Sequence, residues 1–192
     1  MPTPDLDTAL VDEIRASARG EIEVRLSAPT RLSEHTLTLS RAGILRRSRD
    51  PRDVERSEQL GVHPTAALPG VLLRLAAIAP LGSPPEGSDL DLPEELLDQL
   101  AAADDALREA AWSRALDAAR ALPDPTDPAL EAAPPRAIHL VRRRAEGDVG
   151  AVLVQLRGRY LAADPASAGR LVGATPTDAA RALLRPLLTA RG

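Results

Sequence analysis

The residues of this chain that could carry out acid–base or metal chemistry are its three histidines and its paired carboxylates. His35, His63 and His139 lie far apart, and no two of them stand at the short spacings that bring two imidazoles to one metal ion. The sequence contains no cysteine, which excludes thiolate nucleophiles, thiolate metal ligands and disulfides. The pattern favours isolated histidines that are exposed or cap an element, and it predicts no metal ion and no cofactor.

The carboxylate pairs Glu94-Glu95 and Asp104-Asp105 fall on predicted helix surfaces. Adjacent helical residues point about 100° apart, so neither pair forms a shared site, whereas a catalytic dyad needs two carboxyls held together in a cleft. No glycine-rich phosphate loop precedes a helix, and no serine stands in a nucleophile elbow. The sequence therefore predicts a protein that is not an enzyme. An enzyme stays open as an alternative that would require titratable groups converging in a pocket.

The one cationic run of note is Arg142-Arg143-Arg144. On a strand its members point alternately to the two faces, and the run continues into Glu146 and Asp148, which is typical of the rim of a hairpin. All 24 basic residues are arginine, but the net charge is −4 and aromatic residues make up 1% of the chain. Because nucleic-acid binding depends on phosphate neutralisation and base stacking, this balance argues against a nucleic-acid partner.

The apolar content is almost entirely aliphatic, with no Phe and with Trp112 and Tyr160 as single representatives of their types. An Ala-, Leu-, Pro- and Arg-rich chain without lysine is typical of a GC-rich genome such as that of an actinobacterium. No apolar run reaches the ~20 residues that span a bilayer. The first residues lack the basic and apolar regions of a signal peptide. We therefore expect a cytoplasmic protein that does not insert into a membrane.

Alternating apolar residues predict a β-meander that follows a short N-terminal helix. The helix is expected over 8–18, the strands at 21–26, 35–40, 44–48 and 54–60, and a second helix over 65–79. The short connections between the strands favour antiparallel pairing, because parallel strands need a long crossover.

The second half of the chain repeats this order after a helical segment. Helices are expected over 93–121, with Trp112, Leu116 and Ala119 on one buried stripe, between Pro-rich linkers at 80–92 and 123–135. Further strands are expected at 137–141 and 151–156 and within 157–162, and a final helix from about 175 to about 190. The predicted organisation is one α+β domain over 1–192, with sub-halves 9–80 and 136–192 joined by the helical segment.

The two sub-halves share a weak internal repeat. Each meander leads into a helix that starts with Pro-Thr, at Pro64-Thr65 and at Pro176-Thr177, a constant offset of 112 residues. A Pro-Thr start is generic and the chain is rich in Ala and Leu, so chance similarity stays open. A true repeat implies that the two meanders meet in one sheet or pack side by side, with helices on the outer faces or ends.

The order of these segments resembles the EspG proteins, cytoplasmic chaperones associated with actinobacterial type VII (ESX) secretion. The resemblance is carried by the helix and strand over 9–26, by the helix over 67–75 followed by Leu90-Asp91-Leu92-Pro93, and by Arg157-Gly158-Arg159-Tyr160-Leu161 before Thr175-Pro176-Thr177-Asp178. It implies an α+β fold of two related β-plus-helix halves in a quasi-two-fold arrangement, with helices packed on the sheet and at the C-terminus.

The resemblance also implies a partner: a secreted PE–PPE-like helical heterodimer, which the chaperone keeps soluble for export by covering an apolar tip. Family members usually carry an additional N-terminal segment, so the chain resembles a short or N-terminally truncated member. Family contacts come from a loop of the first sheet half, the sheet face and the C-terminal helices. The partner-binding positions this implies in the polar loop and on the last helix are Arg47, Arg49, Asp50, Arg52, Asp53, Arg181 and Arg185. The alternative is another non-catalytic interaction protein, such as a regulator or a subunit of a complex.

Overall fold

The computed structural model describes residues 7–51, 58–125, 133–144 and 147–188. The first part of the chain forms a helix, a four-stranded meander and a second helix. These elements are α1 (Thr8–Ala16), β1 (Gly20–Ala28), β2 (Arg31–Leu39), β3 (Ile44–Arg49), β4 (Gln59–His63) and α2 (Leu68–Ala76). The helix α1 begins where it does because the Asp7 carboxylate accepts the backbone N–H of Ala9 at 3.0 Å and caps the first turn.

The second part repeats the meander after a helical segment. Its elements are β5 (Leu90–Asp91), α3 (Glu94–Gln99), α4 (Asp105–Ala118), β6 (Arg136–Arg143), β7 (Val149–Leu156), β8 (Arg159–Ala163), β9 (Arg170–Ala174) and α5 (Pro176–Leu188). The predicted helical segment 93–121 is therefore two helices. The break persists because Asp104 caps the new helix through the Leu107 N–H, while the buried Arg108 guanidinium donates to the carbonyl of Ala102 at 2.7 Å.

All described strands join one antiparallel sheet in the order β4-β3-β2-β1-β6-β7-β8-β9-β5. The strands β1 and β6 pair at its centre, with Val24 opposite Leu140, and each meander runs outward from that pair. Both Pro-Thr starts follow the fourth strand of a meander. The predicted α+β fold with two related β-plus-helix halves is confirmed.

One face of the sheet, the α2/α5 face, is covered by the helices that follow the meanders. It carries the largest core, which contains from the sheet Ile22, Val24, Leu37, Ile44, Ile138, Leu140, Ala151 and Leu153, and from the helices Val71, Leu72, Ala179 and Leu183. The alternation of apolar residues along β1 and β6 places them on this face, because side chains two apart on a strand point the same way.

The other face is the α1/α4 face. The described residues cover it at its two ends and leave it bare between them. At one end α1 packs Val11 and Ile14 against Leu45 of β3. At the other end α3 and α4 bury Trp112 in a core that includes Val154, Leu161 and Leu171. The predicted stripe on α4 is partly wrong, since Trp112 and Ala119 are fully buried but Leu116 is 37% exposed. Between these two ends, the side chains of β6, β1, β2 and β3 on this face are not packed beneath any described helix.

Several predicted boundaries differ from the structure; β2, for example, begins at Arg31 instead of residue 35, and α1 ends at Ala16 instead of residue 18. The fourth strand lies at Gln59–His63 instead of 54–60, and residues 54–57 of that prediction lie outside the described residues. The helix α2 ends at Ala76, because Ala77 takes a left-handed conformation with φ 45°. The strands β5 and β9 were not predicted, since β5 has two residues and β9 carries Gly173, which weakens strand periodicity.

Candidate functional site

The bare middle of the α1/α4 face carries a stripe of charged side chains across β6, β1, β2 and β3, here called the charged stripe. Its members are Glu21, Glu23, Arg25, Glu34, Arg47, Arg49 and Arg143. They share a face because they are aligned by register: Arg25 lies opposite Glu34, and Glu34 lies opposite Arg49. Directly paired residues of neighbouring antiparallel strands point to the same side of the sheet. A depression of about 250 Å³ opens among them, lined in part by Glu23, Arg25, Glu34, Arg47 and Arg49.

Ion pairs fix the orientation of most of these side chains. The Glu34 carboxylate, 14% exposed, accepts Arg49 Nε at 2.7 Å and lies 3.5 Å from Arg25 Nε. On the neighbouring row, Glu23 accepts Arg143 Nη2 at 3.1 Å. The arginines of these pairs are about half exposed or more, so solvent and salt screen the attraction between the paired charges. The pairing therefore orients a mixed-charge surface and contributes little to holding the fold together.

His139 lies in the row of Arg25 and Val152, at the edge of this charged stripe. Its Nε2 is shielded from solvent and has no hydrogen-bond partner among the described residues. Burial, and then the Arg25 guanidinium, lower the pKa of His139 to about 4. The imidazole is thus neutral at pH 7, which keeps an additional cation out of this part of the sheet.

Because of His139, the free energy of unfolding is expected to decrease as the pH is lowered. Its pKa is near 6.5 in the unfolded chain and about 4 in the fold, so between those values only the unfolded chain takes up the proton. The contribution is complete above pH 6.5 and is lost as the pH falls towards 4, by about 2–3 kcal/mol. Urea titrations of the wild type and His139→Gln from pH 7.5 to 4 measure this directly. Equal pH slopes for the two proteins would contradict it; the pH 7.5 data supply the baseline, where both residues are neutral.

The expectation that the histidines are exposed or cap an element is wrong, because all three lie within strands and are partly buried. His35 and His63 are half-buried within β2 and β4 on the α2/α5 face, and His139 lies within β6. His35 Nδ1 lies 2.8 Å from Ser48 Oγ, and burial and then Arg46 lower the pKa of His35. No cluster of three or more His, Asp or Glu suited to a metal ion occurs in the described part of the chain.

The residues implied by the resemblance divide between the two faces. Arg47 and Arg49 lie within β3 on the charged stripe, not in the predicted loop, and the exposed Asp50 follows them. Arg52 and Asp53 lie outside the described residues. Arg181 and Arg185 belong to α5, on the α2/α5 face, where Arg181 pairs with Asp178 at 3.2 Å. The structure brings Arg47 and Arg49 together and separates them from the α5 pair by the thickness of the sheet.

Sequence reasoning missed the remaining members of the charged stripe: Glu21, Glu23, Arg25, Glu34 and Arg143. The alternation of charged and apolar residues along β1 placed some of them on its polar side. Which of these side chains meet depends on the register of β1 with β2 and of β1 with β6. The alternation of residues along a single strand does not specify that register.

The run Arg142-Arg143-Arg144 alternates between the faces as predicted. Arg143 joins the charged stripe and pairs with Glu23 and Asp148. Arg142 donates to the carbonyl oxygens of Pro186 and Leu187 at 3.2 Å, and Arg144 donates to that of Pro186 at 2.8 Å. Cations suit this place because the C-terminal carbonyls of α5 carry partial negative charge.

Within the described residues, no helix has the length and apolar character required to cross a bilayer. No family model and no curated protein matches the sequence. Among solved structures, the fold is similar to that of the Mycobacterium tuberculosis type VII secretion system chaperone EspG5, solved in complex with the PE25-PPE41 dimer. The TM-score is 0.50 at 12% identity, and the match covers 98% of this chain and 79% of that chain. At this identity the similarity shows an EspG-like fold.

Proposed function

We propose that this protein is a cytoplasmic chaperone that binds a helical secreted substrate of the PE–PPE kind and keeps it soluble for type VII export. The observation that carries the proposal is the match of 98% of the chain to a chaperone solved with such a dimer. The role requires no chemistry. Among the described residues that line the charged depression, one is a histidine, His35. Its ring lies against Ser48 on the other face of the sheet and does not enter the depression.

The charged stripe is the proposed docking surface. Its exposed ion pairs are interspersed with the half-buried Val141 and Val152, so it offers both charge and aliphatic area. Opposite charges arranged in rows suit a helix whose own charges alternate, and such complementarity favours partner choice and encounter more than raw affinity. The charged stripe crosses four neighbouring strands, β6, β1, β2 and β3. At about 4.8 Å between neighbouring strands, the stripe is wide enough to accommodate one helix.

Charge reversal within the stripe is expected to reduce substrate binding. In Arg47→Glu/Arg49→Glu, a carboxylate at position 49 would face Glu34 in place of the present ion pair, and the stripe would become acidic. We expect a loss of tenfold or more in affinity, on the order of 1.4 kcal/mol or above, since like charges across an interface are costly. The measurement is retention of a co-expressed PE–PPE-like heterodimer by the tagged chain, with thermal melting to confirm that the variant folds.

The matched control is Arg181→Glu/Arg185→Glu, which makes the same charge change on the opposite face. It is expected to retain the heterodimer. Loss of binding in this control together with normal binding in the stripe variant would move the docking surface to α5 and leave the chaperone role intact. Failure of the wild-type chain to retain any heterodimer encoded beside its gene would refute the chaperone role, and capture of a different protein would favour a regulator or complex subunit.

A further inference from the structure

A second pocket opens on the α2/α5 face, at the end of the sheet where β1 begins and α5 ends. Its volume is about 430 Å³, and its lining contains Arg19, Arg41, Arg142, Leu39, Ser40 and Thr65. We call it the arginine pocket. It is separate from the charged depression, since no lining residue is shared between them.

The backbone around the arginine pocket is held by local hydrogen bonds. The N–H of Arg19 donates to the carbonyl of Leu39 at 2.8 Å, next to the pair formed by Gly20 and Leu39. Ser40 closes the turn between β2 and β3, because its hydroxyl accepts the N–H of Gly43 at 3.1 Å. Arg41 is therefore presented from a tight, hydrogen-bonded turn, and the backbone that carries the two arginines is held in place before a ligand arrives.

The charge of the pocket is uncompensated by acids in its lining. Arg19 and Arg41 are exposed, and in the described part of the chain their side chains have no ion pair or hydrogen bond. Arg142 is engaged by the carbonyls at the end of α5. An adjoining depression of about 380 Å³ shares Arg19 and is lined on the charged-stripe side by Arg143 and by the acid Glu21, so the unpaired charge lies in the arginine pocket itself. Two unpaired guanidiniums in one pocket of a chain whose net charge is −4 point to an anionic ligand.

The pocket also has an aliphatic side. Leu39 is half-buried in its lining. Outside the lining, beside Arg142, Leu187 is half-buried and the next residue, Leu188, is 76% exposed. A small hydrophilic anion would leave this apolar area uncovered, whereas a carboxylate carried beside an aliphatic side chain would contact both parts.

We propose that the arginine pocket binds an aspartate or glutamate side chain in an aliphatic-flanked segment of the protein partner, with Arg19 and Arg41 as the groups that recognise the carboxylate. This rests on the proposed function, because it assigns a second contact to the same partner. The guanidinium is planar and donates in a fork that matches a carboxylate, which favours this anion over a neutral side chain.

The probe for the test is a short synthetic peptide of alternating leucine and glutamate, with a leucine–glutamine peptide of equal length as the neutral control. Titration is followed by the NMR signals of the arginine Nε–H groups. We expect the signals of Arg19 and Arg41 to shift saturably with the acidic peptide and to remain unchanged with the neutral one. Arg19→Gln and Arg41→Gln should each weaken binding about threefold to fivefold, as for a partly exposed charge pair, and added salt should weaken it further.

The control variant is Arg31→Gln, an exposed arginine at the far end of the β1–β2 hairpin, roughly 27 Å from the pocket by strand rise. It should bind the peptide as the wild type does. Equal binding of both peptides, an equal loss in Arg31→Gln, or inorganic phosphate binding as tightly as the acidic peptide would overturn the proposal. Peptide binding without retention of any PE–PPE-like heterodimer would refute the chaperone role alone, and retention without peptide binding would refute this site alone.

Discussion

Replacing Trp112 with alanine is expected to lower the free energy of unfolding by about 3–5 kcal/mol, as for large aromatic residues removed from a core. Trp112 is fully buried and is the largest side chain of the cluster beneath α4. The other side chains of that cluster are aliphatic, so no neighbouring aromatic ring can move into the cavity that the missing indole leaves. The measurement is urea unfolding followed by far-UV circular dichroism, because the substitution removes the only tryptophan.

Two further variants separate packing from other effects. Leu116→Ala changes the next turn of the same helix, where the side chain is 37% exposed, and should cost about 1 kcal/mol or less. Trp112→Phe should cost less than the alanine variant, because it keeps much of the volume and removes an indole N–H that has no partner among the described residues. If Trp112→Ala and Leu116→Ala cost the same, α4 does not bury its tryptophan against β7 to β9.

Replacing Gly169 with alanine is expected to lower the free energy of unfolding by about 2–4 kcal/mol. Gly169 has a φ of 78°, which disfavours any residue with a Cβ, and an added Cβ would lie 2.2 Å from the carbonyl oxygen of Leu92. That oxygen belongs to backbone, which cannot rotate away as a side chain would. The Leu92 N–H also donates to the Gly169 carbonyl at 2.8 Å, so the clash loosens the attachment of β5 and α3 to the edge of the sheet.

The matched control for Gly169 is Gly87→Ala. Gly87 has a φ of 76°, and an added Cβ would meet nothing within 4 Å. This variant should therefore show the conformational cost alone, about 1 kcal/mol. The difference between the two unfolding free energies measures the contact with Leu92. Equal losses would show that the backbone at Gly169 and that at Leu92 are not in contact.

The elements with strong local periodicity could be predicted from sequence. Ile22, Val24 and Leu26 alternate with polar residues along β1, and the same two-residue period marks β2. Elements with few apolar side chains could not, such as β9 with its Gly173 and the two-residue β5, since the edge position of each depends on the neighbouring strand. The local alternation of residues determines which segments form strands, and pairing with neighbouring strands determines where each strand ends.

The candidate site was predicted only in part for a similar reason. Arg47 and Arg49 were implied by resemblance, but Glu34, which ties Arg49 to Arg25, becomes visible only when three strands are placed in register. Arg181 was implied by the same resemblance, and the structure places it on the opposite face of the sheet. The face it occupies is decided by the packing of α5 on the α2/α5 core, and no local pattern encodes which side of a sheet a helix covers.

The chaperone proposal is tested by calorimetric titration of this chain with PE–PPE-like heterodimers, including any that are encoded beside its gene, followed by size-exclusion chromatography of the mixture. We expect saturable binding of one chain per heterodimer to at least one of them, co-elution as a single species, and loss of both signals in Arg47→Glu/Arg49→Glu. Absence of binding heat together with separate elution for every such heterodimer would contradict it.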